Sequence, residues 1–225
     1  MEATILMSND SLYTRHTPSF SAKLFGYAPE SFKAFGEFNK QALAEGVLSV
    51  RTKELIAVAV AQITGCPYCI EAHVGKAKAA KASFEELFEA GVVAAAVNAH
   101  SVFYNTANTW KAFGERKEDD LFPRGNIALA EQLEQVNESL YTAFAEYQFN
   151  SLQAGLLSEK EKLLVAVGSA LVIGNPYSID IFTGRAKSAG ISLEELAETL
   201  LVATALKAGS AVAHRVNALQ AYERD

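Results

Sequence analysis

The chain has 225 residues, half of them apolar and 20% charged, with a formal net charge of −6. That composition supports a packed core and excludes wholesale disorder. With no basic tail or Lys/Arg block, it also argues against nucleic acid as the main partner. Two cysteines are too few for a disulfide scaffold, and five prolines with few alternating Val/Ile/Thr runs exclude an all-β fold.

Residues 1–28 read as an N-terminal arm with little periodicity. Glu2, Asp10, Arg15, His16 and Lys23 interrupt its apolar residues, so no signal peptide is expected. Pro29 to Ala44 predicts a helix opened by proline, with Phe32, Phe35 and Phe38 as a core-facing stripe and Gly46 as its stop. Arg51 to Thr64 predicts a strong helix capped by Ser49 and closed by Gly65. The next helix starts at Cys66-Pro67 and runs through Lys81. Ser83 with Glu86 forms a capping box for a further helix, and residues 93–113 make the last helix of the unit. Residues 114–126 (GERKEDDLFPRGN) read as a linker, and 127–225 as a second unit. No uninterrupted apolar run approaches the roughly 18 residues of a membrane span. A cytoplasmic chain with no membrane partner is therefore expected.

The second unit is a copy of the first. From Leu48 to Asn108 and from Leu157 to Asn217 the two stretches align without a gap at an offset of 109 residues, with 26 of 61 positions identical. Upstream, Phe32, Phe35, Phe38 and Gly46 fall on Tyr141, Phe144, Tyr147 and Gly155, and the Ser83/Glu86 capping box recurs as Ser192/Glu195.

One set of residues is not copied. Glu54, Cys66, Cys69 and His73 fall on Leu163, Asn175, Ser178 and Phe182, while the frame around them persists as Gly65/Gly174, Pro67/Pro176, Tyr68/Tyr177 and Ile70/Ile179. Residues that vanish together point to one functional unit. A thiol near a helix N-terminus is biased toward thiolate by the helix dipole. Cys69 and His73 are i and i+4, so they share a helix face and His73 can take the thiol proton. Glu54, one helix earlier, can orient the imidazole or accept its proton. A CxxC pair closes a disulfide once one sulfur is oxidised to sulfenic acid.

The stretch GCPYCIEAH, preceded by KELIAVAVA, resembles the alkylhydroperoxidase D-like branch of the carboxymuconolactone decarboxylase superfamily. That branch is marked by a Glu, then a CxxC, then a His four residues past the second Cys. The resemblance covers about residues 29–113 directly and 138–217 through the degenerate copy. It implies an all-α fold of two tandem alkylhydroperoxidase D-like helical repeats, with the second degenerate at the active site. It also implies oligomers and thiol-dependent peroxide reduction. On that reading Cys69 attacks the peroxide and Cys66 resolves it, or the reverse, with His73 and Glu54 activating the thiol. An external dithiol restores the pair, and no cofactor or metal is called for. Where the best-known hydroperoxidase members carry a His just before the second Cys, this chain has Tyr68. The competing readings are a lyase acting on a small ring substrate, as in the sister branch, and a non-catalytic assembly module that keeps the pair as a redox sensor.

Other residues weigh less. Tyr68 and His100 are possible lining of the site, and His214 another, although a structural role is the simpler reading for both histidines. Arg51, Lys53 and Lys76, mirrored by Lys160, Lys162 and Arg185, read as a solvated face. The apolar last helix of each repeat suggests burial in a homo-oligomer, a trimer first and a dimer next.

Overall fold

In the computed structural model, which describes residues 24–113 and 122–222, the regular elements are eleven helices and no strand. Repeat one supplies α1 (Pro29–Ala42), α2 (Val50–Thr64), α3 (Pro67–Ala79) and α4 (Phe84–Phe113). Two short helices, α5 (Asn126–Glu131) and α6 (Leu133–Val136), lead into α7 (Glu138–Leu152), α8 (Glu159–Ile173), α9 (Pro176–Ser188), α10 (Leu193–Ala213) and α11 (Arg215–Tyr222). Helices α2 and α8 begin and end 109 positions apart, and so do α3 and α9. Most of the expected arm (1–23, with His16) and of the expected linker (114–121) lies outside the described residues.

Three local expectations change. The two helices expected across residues 83–113 are one, because Gly91 keeps a right-handed conformation and lies against the Gln62 side chain. Repeat two is also continuous at the matching place and breaks further on: α10 caps at His214, the equivalent of Asn105, and the His214 Nδ1 meets Asn217 Oδ1 at 2.9 Å. The aromatic stripe of α1 is half-buried rather than core, since α1 lies on the outside of the bundle.

The core is centred on α2 and α8, which bury Thr52–Ala61 and Lys162–Ala170 without interruption. Helices α4 and α10 flank this pair, burying Val93 and Val97 on one side and Val202 and Leu206 on the other. By length and composition alone, Phe84–Tyr104 and Leu193–Leu219 are apolar enough to cross a membrane, although charged residues interrupt both. Their apolarity is explained by the shared core on one face and an exposed apolar face on the other.

The repeats exchange their outer parts. Helix α1 packs on α10 of the other repeat, and α7 packs on α4. A carboxylate fixes each exchange. Glu198 on α10 accepts the backbone N–H groups of Val47 (3.0 Å) and Leu48 (2.8 Å) and pairs with Lys53 at 3.0 Å. Glu89 on α4 accepts Leu156 (2.8 Å) and Leu157 (3.0 Å) and pairs with Lys162 at 3.0 Å. Gly46 and Gly155 make room, since a Cβ at either would strike the carboxylate. Burial works against the charge of both glutamates, but the amides and the lysine outweigh it and hold them below the ordinary carboxylate value. Lys53 and Lys162 are therefore not on a solvated face: they are 2% and 5% exposed. Arg51 is half-buried between Glu86 and Glu161.

A buried ammonium that loses its partner is costly. The Glu198→Ala variant should lose about 3 kcal/mol in urea unfolding. A Lys53→Met/Glu198→Ala double variant should recover part of that loss. A single-variant loss below about 0.5 kcal/mol, the scale of an exposed ion pair, would show that the exchange is not held here.

Candidate active site

Gly65 ends α2 with a left-handed φ of 65° and turns the chain into α3. Cys66 is the N-cap of α3, and its Sγ accepts the Cys69 backbone N–H at 3.3 Å. Pro67 follows at the first helical position, where its missing N–H costs nothing. One turn on from Cys69, His73 meets Glu54 of the neighbouring α2, Nδ1 to Oε2 at 2.7 Å. Glu54 is 2% exposed and His73 7%, so the pair is shielded from water. All four residues singled out in repeat one are thus brought together.

Both cysteines are free thiols with unequal access. Cys66 is fully buried, while Cys69 and His73 open on a cavity of about 240 Å³. Burial pushes the Cys69 thiol up to about 12, and the neighbouring Cys66 sulfur adds to the rise. The expected dipole-driven thiolate at Cys69 is therefore not the resting form. Desolvation outweighs the helix N-terminus, whose Cys69 amide points at Cys66 Sγ instead.

The cavity is walled by both repeats. Phe35 and Asn39 come from α1, Gly209 and Ala213 from α10, and Arg215 from α11. The Arg215 guanidinium sits 4.4 Å over the Phe25 ring and donates from Nη1 to the Val212 carbonyl at 2.9 Å. Tyr68 lines the cavity, accepts a hydrogen bond from Asn217 Nδ2 at 3.2 Å, and packs edge-on against His214 at 5.9 Å between ring centroids. The sequence reading missed Gly209 and Arg215. The signal was present in the repeat alignment, which pairs them with His100 and Thr106.

His100 does not line the cysteine cavity. It lies in the equivalent place of repeat two, where Nδ1 meets Ser178 Oγ at 2.9 Å and the ring packs on Phe182 at 4.6 Å and Tyr104 at 4.4 Å. Asn175 replaces Cys66 as the helix cap, its Oδ1 accepting the Ser178 N–H at 2.9 Å. Leu163 and Phe182 fill the places of Glu54 and His73 with apolar bulk. Among the described residues, no group of three or more His, Cys, Asp or Glu is arranged to hold a metal ion.

Burial, with Arg185 adding to it, pushes the His100 imidazole down to about 4 from 6.5. The unfolded chain takes a proton that the folded chain refuses until the pH nears that lower value, so acidification through the window favours unfolding. Stability should fall by about 2 kcal/mol between pH 7 and pH 5 on this account, before the latching carboxylates titrate. Urea unfolding against pH should show a flatter slope for His100→Gln; an unchanged slope would remove His100 as the source.

Residues 29–111 and 138–221 each match the family described as carboxymuconolactone decarboxylase. A 70-residue stretch is 47% identical to "Uncharacterized protein 4 in cox locus" of Paracoccus denitrificans, covering 31% of this chain and 63% of that protein, under two thirds of its length. A crystal structure from Burkholderia xenovorans LB400, described as a candidate gamma-carboxymuconolactone decarboxylase subunit, shares the fold. Its TM-score is 0.68 over 94% of this chain and 92% of that one, at 19% identity. With the family matched twice over the greater part of the sequence, the chain belongs to the carboxymuconolactone decarboxylase family and carries two copies of its helical unit.

Proposed function

We propose that this protein is a thiol-dependent peroxide reductase working through Cys69 and Cys66. The observation that carries the reading is the cavity-facing Cys69 beside the buried His73–Glu54 pair, a constellation that repeat two lacks entirely. An imidazole bonded through Nδ1 to a carboxylate presents Nε2 as its base. His73 takes the Cys69 proton as sulfur attacks the near peroxide oxygen. The O–O bond breaks, Cys69 becomes a sulfenic acid, and the proton leaves with the alkoxide as an alcohol. Cys66 then attacks that sulfur, forming the Cys66–Cys69 disulfide and releasing water, and an external dithiol reduces the pair.

Treated with peroxide, the reduced protein should lose both thiols and gain one intramolecular disulfide by mass mapping. His73→Ala and Glu54→Gln should each slow that loss about 100-fold, the usual scale of general-base catalysis, with unchanged circular dichroism. Because the Cys69 thiol rests near 12, its alkylation rate should still climb with pH beyond pH 9, where an ordinary thiol levels off. Sulfonic acid without a disulfide, or no reaction, would reject the reading and favour a lyase.

We also propose a closed homo-oligomer, a trimer first. Phe84 (73% exposed) and Leu193 (78%) stand out at the repeat-related starts of α4 and α10, with Leu156 (60%) in the loop before α8, apolar surface of the kind that self-association covers. Light scattering at micromolar concentration should give three times the mass of one chain; a clean monomer would refute it.

A further inference from the structure

We propose that Gly209 is the access-determining residue of the Cys69 site: its missing side chain sets how bulky a reagent or substrate reaches the thiol. The glycine lies inside α10 with a right-handed backbone, and the glycines with positive φ are others: Gly65, Gly174 and Gly190. A Cβ at 209 would meet only Phe35 Cζ, at an ordinary 3.6 Å. Neither backbone conformation nor tight packing therefore requires glycine, and within a helix alanine is the better residue. What glycine leaves there is open space in the cavity wall beside Cys69 and His73.

Repeat two supplies the internal control. Its equivalent of Gly209 is His100, and that imidazole lies on Ser178, the equivalent of Cys69, at 2.9 Å and against Phe182, the equivalent of His73. The equivalent of Ala213 is Tyr104, stacked on the same imidazole at 4.4 Å. A histidine at 209 would by the same geometry cover the Cys69 sulfur. Helix α4 houses the His100 imidazole at the repeat-two site. The cleft is apolar along Phe35, Leu206 and Ala213, which suits an alkyl chain behind the peroxide group.

The choice of peroxide rests on the function proposed above; access to the thiol does not, and the test separates them. Cys69 is alkylated with iodoacetamide and with the bulkier N-ethylmaleimide, the site of modification being read by peptide mapping. Turnover is followed with hydrogen peroxide and with cumene hydroperoxide. Gly209→Ala should raise the melting temperature and lower the ratio of cumene hydroperoxide to hydrogen peroxide turnover about tenfold, the scale of one methyl in a close-fitting pocket. Gly209→His should abolish labelling by N-ethylmaleimide and suppress it with iodoacetamide. Ala213→Tyr, which copies the second bulky position of repeat two, should do the same and stands in if Gly209→His does not fold. A folded Gly209→His variant labelled at the wild-type rate overturns the proposal. Labelling that falls as expected in a protein that turns over neither peroxide keeps Gly209 as the access residue and rejects the peroxidase reading.

Discussion

A lysine ammonium cannot be buried alone, and the described residues bury two of them, Lys53 and Lys162, in the first turns of the central helices. Each finds its carboxylate on the last long helix of the opposite repeat: Lys53 on Glu198, Lys162 on Glu89. The same carboxylates tie down the backbone of the loop before α2 or α8, satisfying amides that the turn would otherwise leave without partners. This exchange sets the rest of the architecture. It draws α10 across the front of repeat one, seats α1 on α10, and so closes the space over Cys69 with residues the cysteine-bearing repeat does not itself possess. The second repeat has lost its sulfurs, yet it cannot be dispensed with, because it forms one wall of the first repeat's cavity.

Burial also fixes the resting protonation of the groups that matter, by the same desolvation in each case. It holds Cys69 as a thiol and His100 as a neutral imidazole, because the charged form of either would be stranded in apolar surroundings. A helix N-terminus contributes about half a charge, and at α3 that contribution is aimed at Cys66 Sγ through the Cys69 amide. The proposed chemistry therefore depends on a base placed beside the thiol. The Glu54–His73 pair is the matching piece: a carboxylate 2.7 Å from the imidazole, both shielded from water.

The helical repeat was legible because periodicity, proline starts, glycine stops and Ser/Glu capping boxes all agreed, and the repeat alignment doubled each signal. Helices α2, α3, α8 and α9 fall within a residue or two of the positions the pattern indicates. The site's four central residues were legible for a related reason: two copies of one frame that keep its Gly, Pro, Tyr and Ile while one loses the carboxylate, both sulfurs and the imidazole set those members apart. What the sequence could not convey was long-range pairing. Lys53 looks like any lysine on a charged helix start, since nothing local reveals that Glu198, 145 positions away, will bury it. Cys69 looks like a helix-activated thiol until its solvent exposure is known. His100 was linked to the wrong cavity because the exchange of helices between repeats, which decides which site each last helix faces, is written in tertiary contacts and not in spacing.

That exchange explains why the asymmetry of the two cavities needs a fused chain. His100, which covers Ser178, and Tyr104, stacked on it, sit on α4 of the repeat that keeps the cysteines, while the open positions over Cys69, Gly209 and Ala213, sit on α10 of the repeat that lost them. In an assembly of two identical units, a histidine on the last helix would lie over both cysteine sites at once, because each unit would wall the other. Covalent linkage makes the two last helices different residues of one sequence. One can then carry an imidazole that shuts Ser178 off from the cavity of about 260 Å³ beside it, while the other carries glycine that leaves Cys69 open to a cavity of about 240 Å³. The missing sulfurs of repeat two and the missing side chain at position 209 are thus two halves of one division of labour: where the sulfur is gone the facing helix covers its place, and where the thiol remains the facing helix leaves it open.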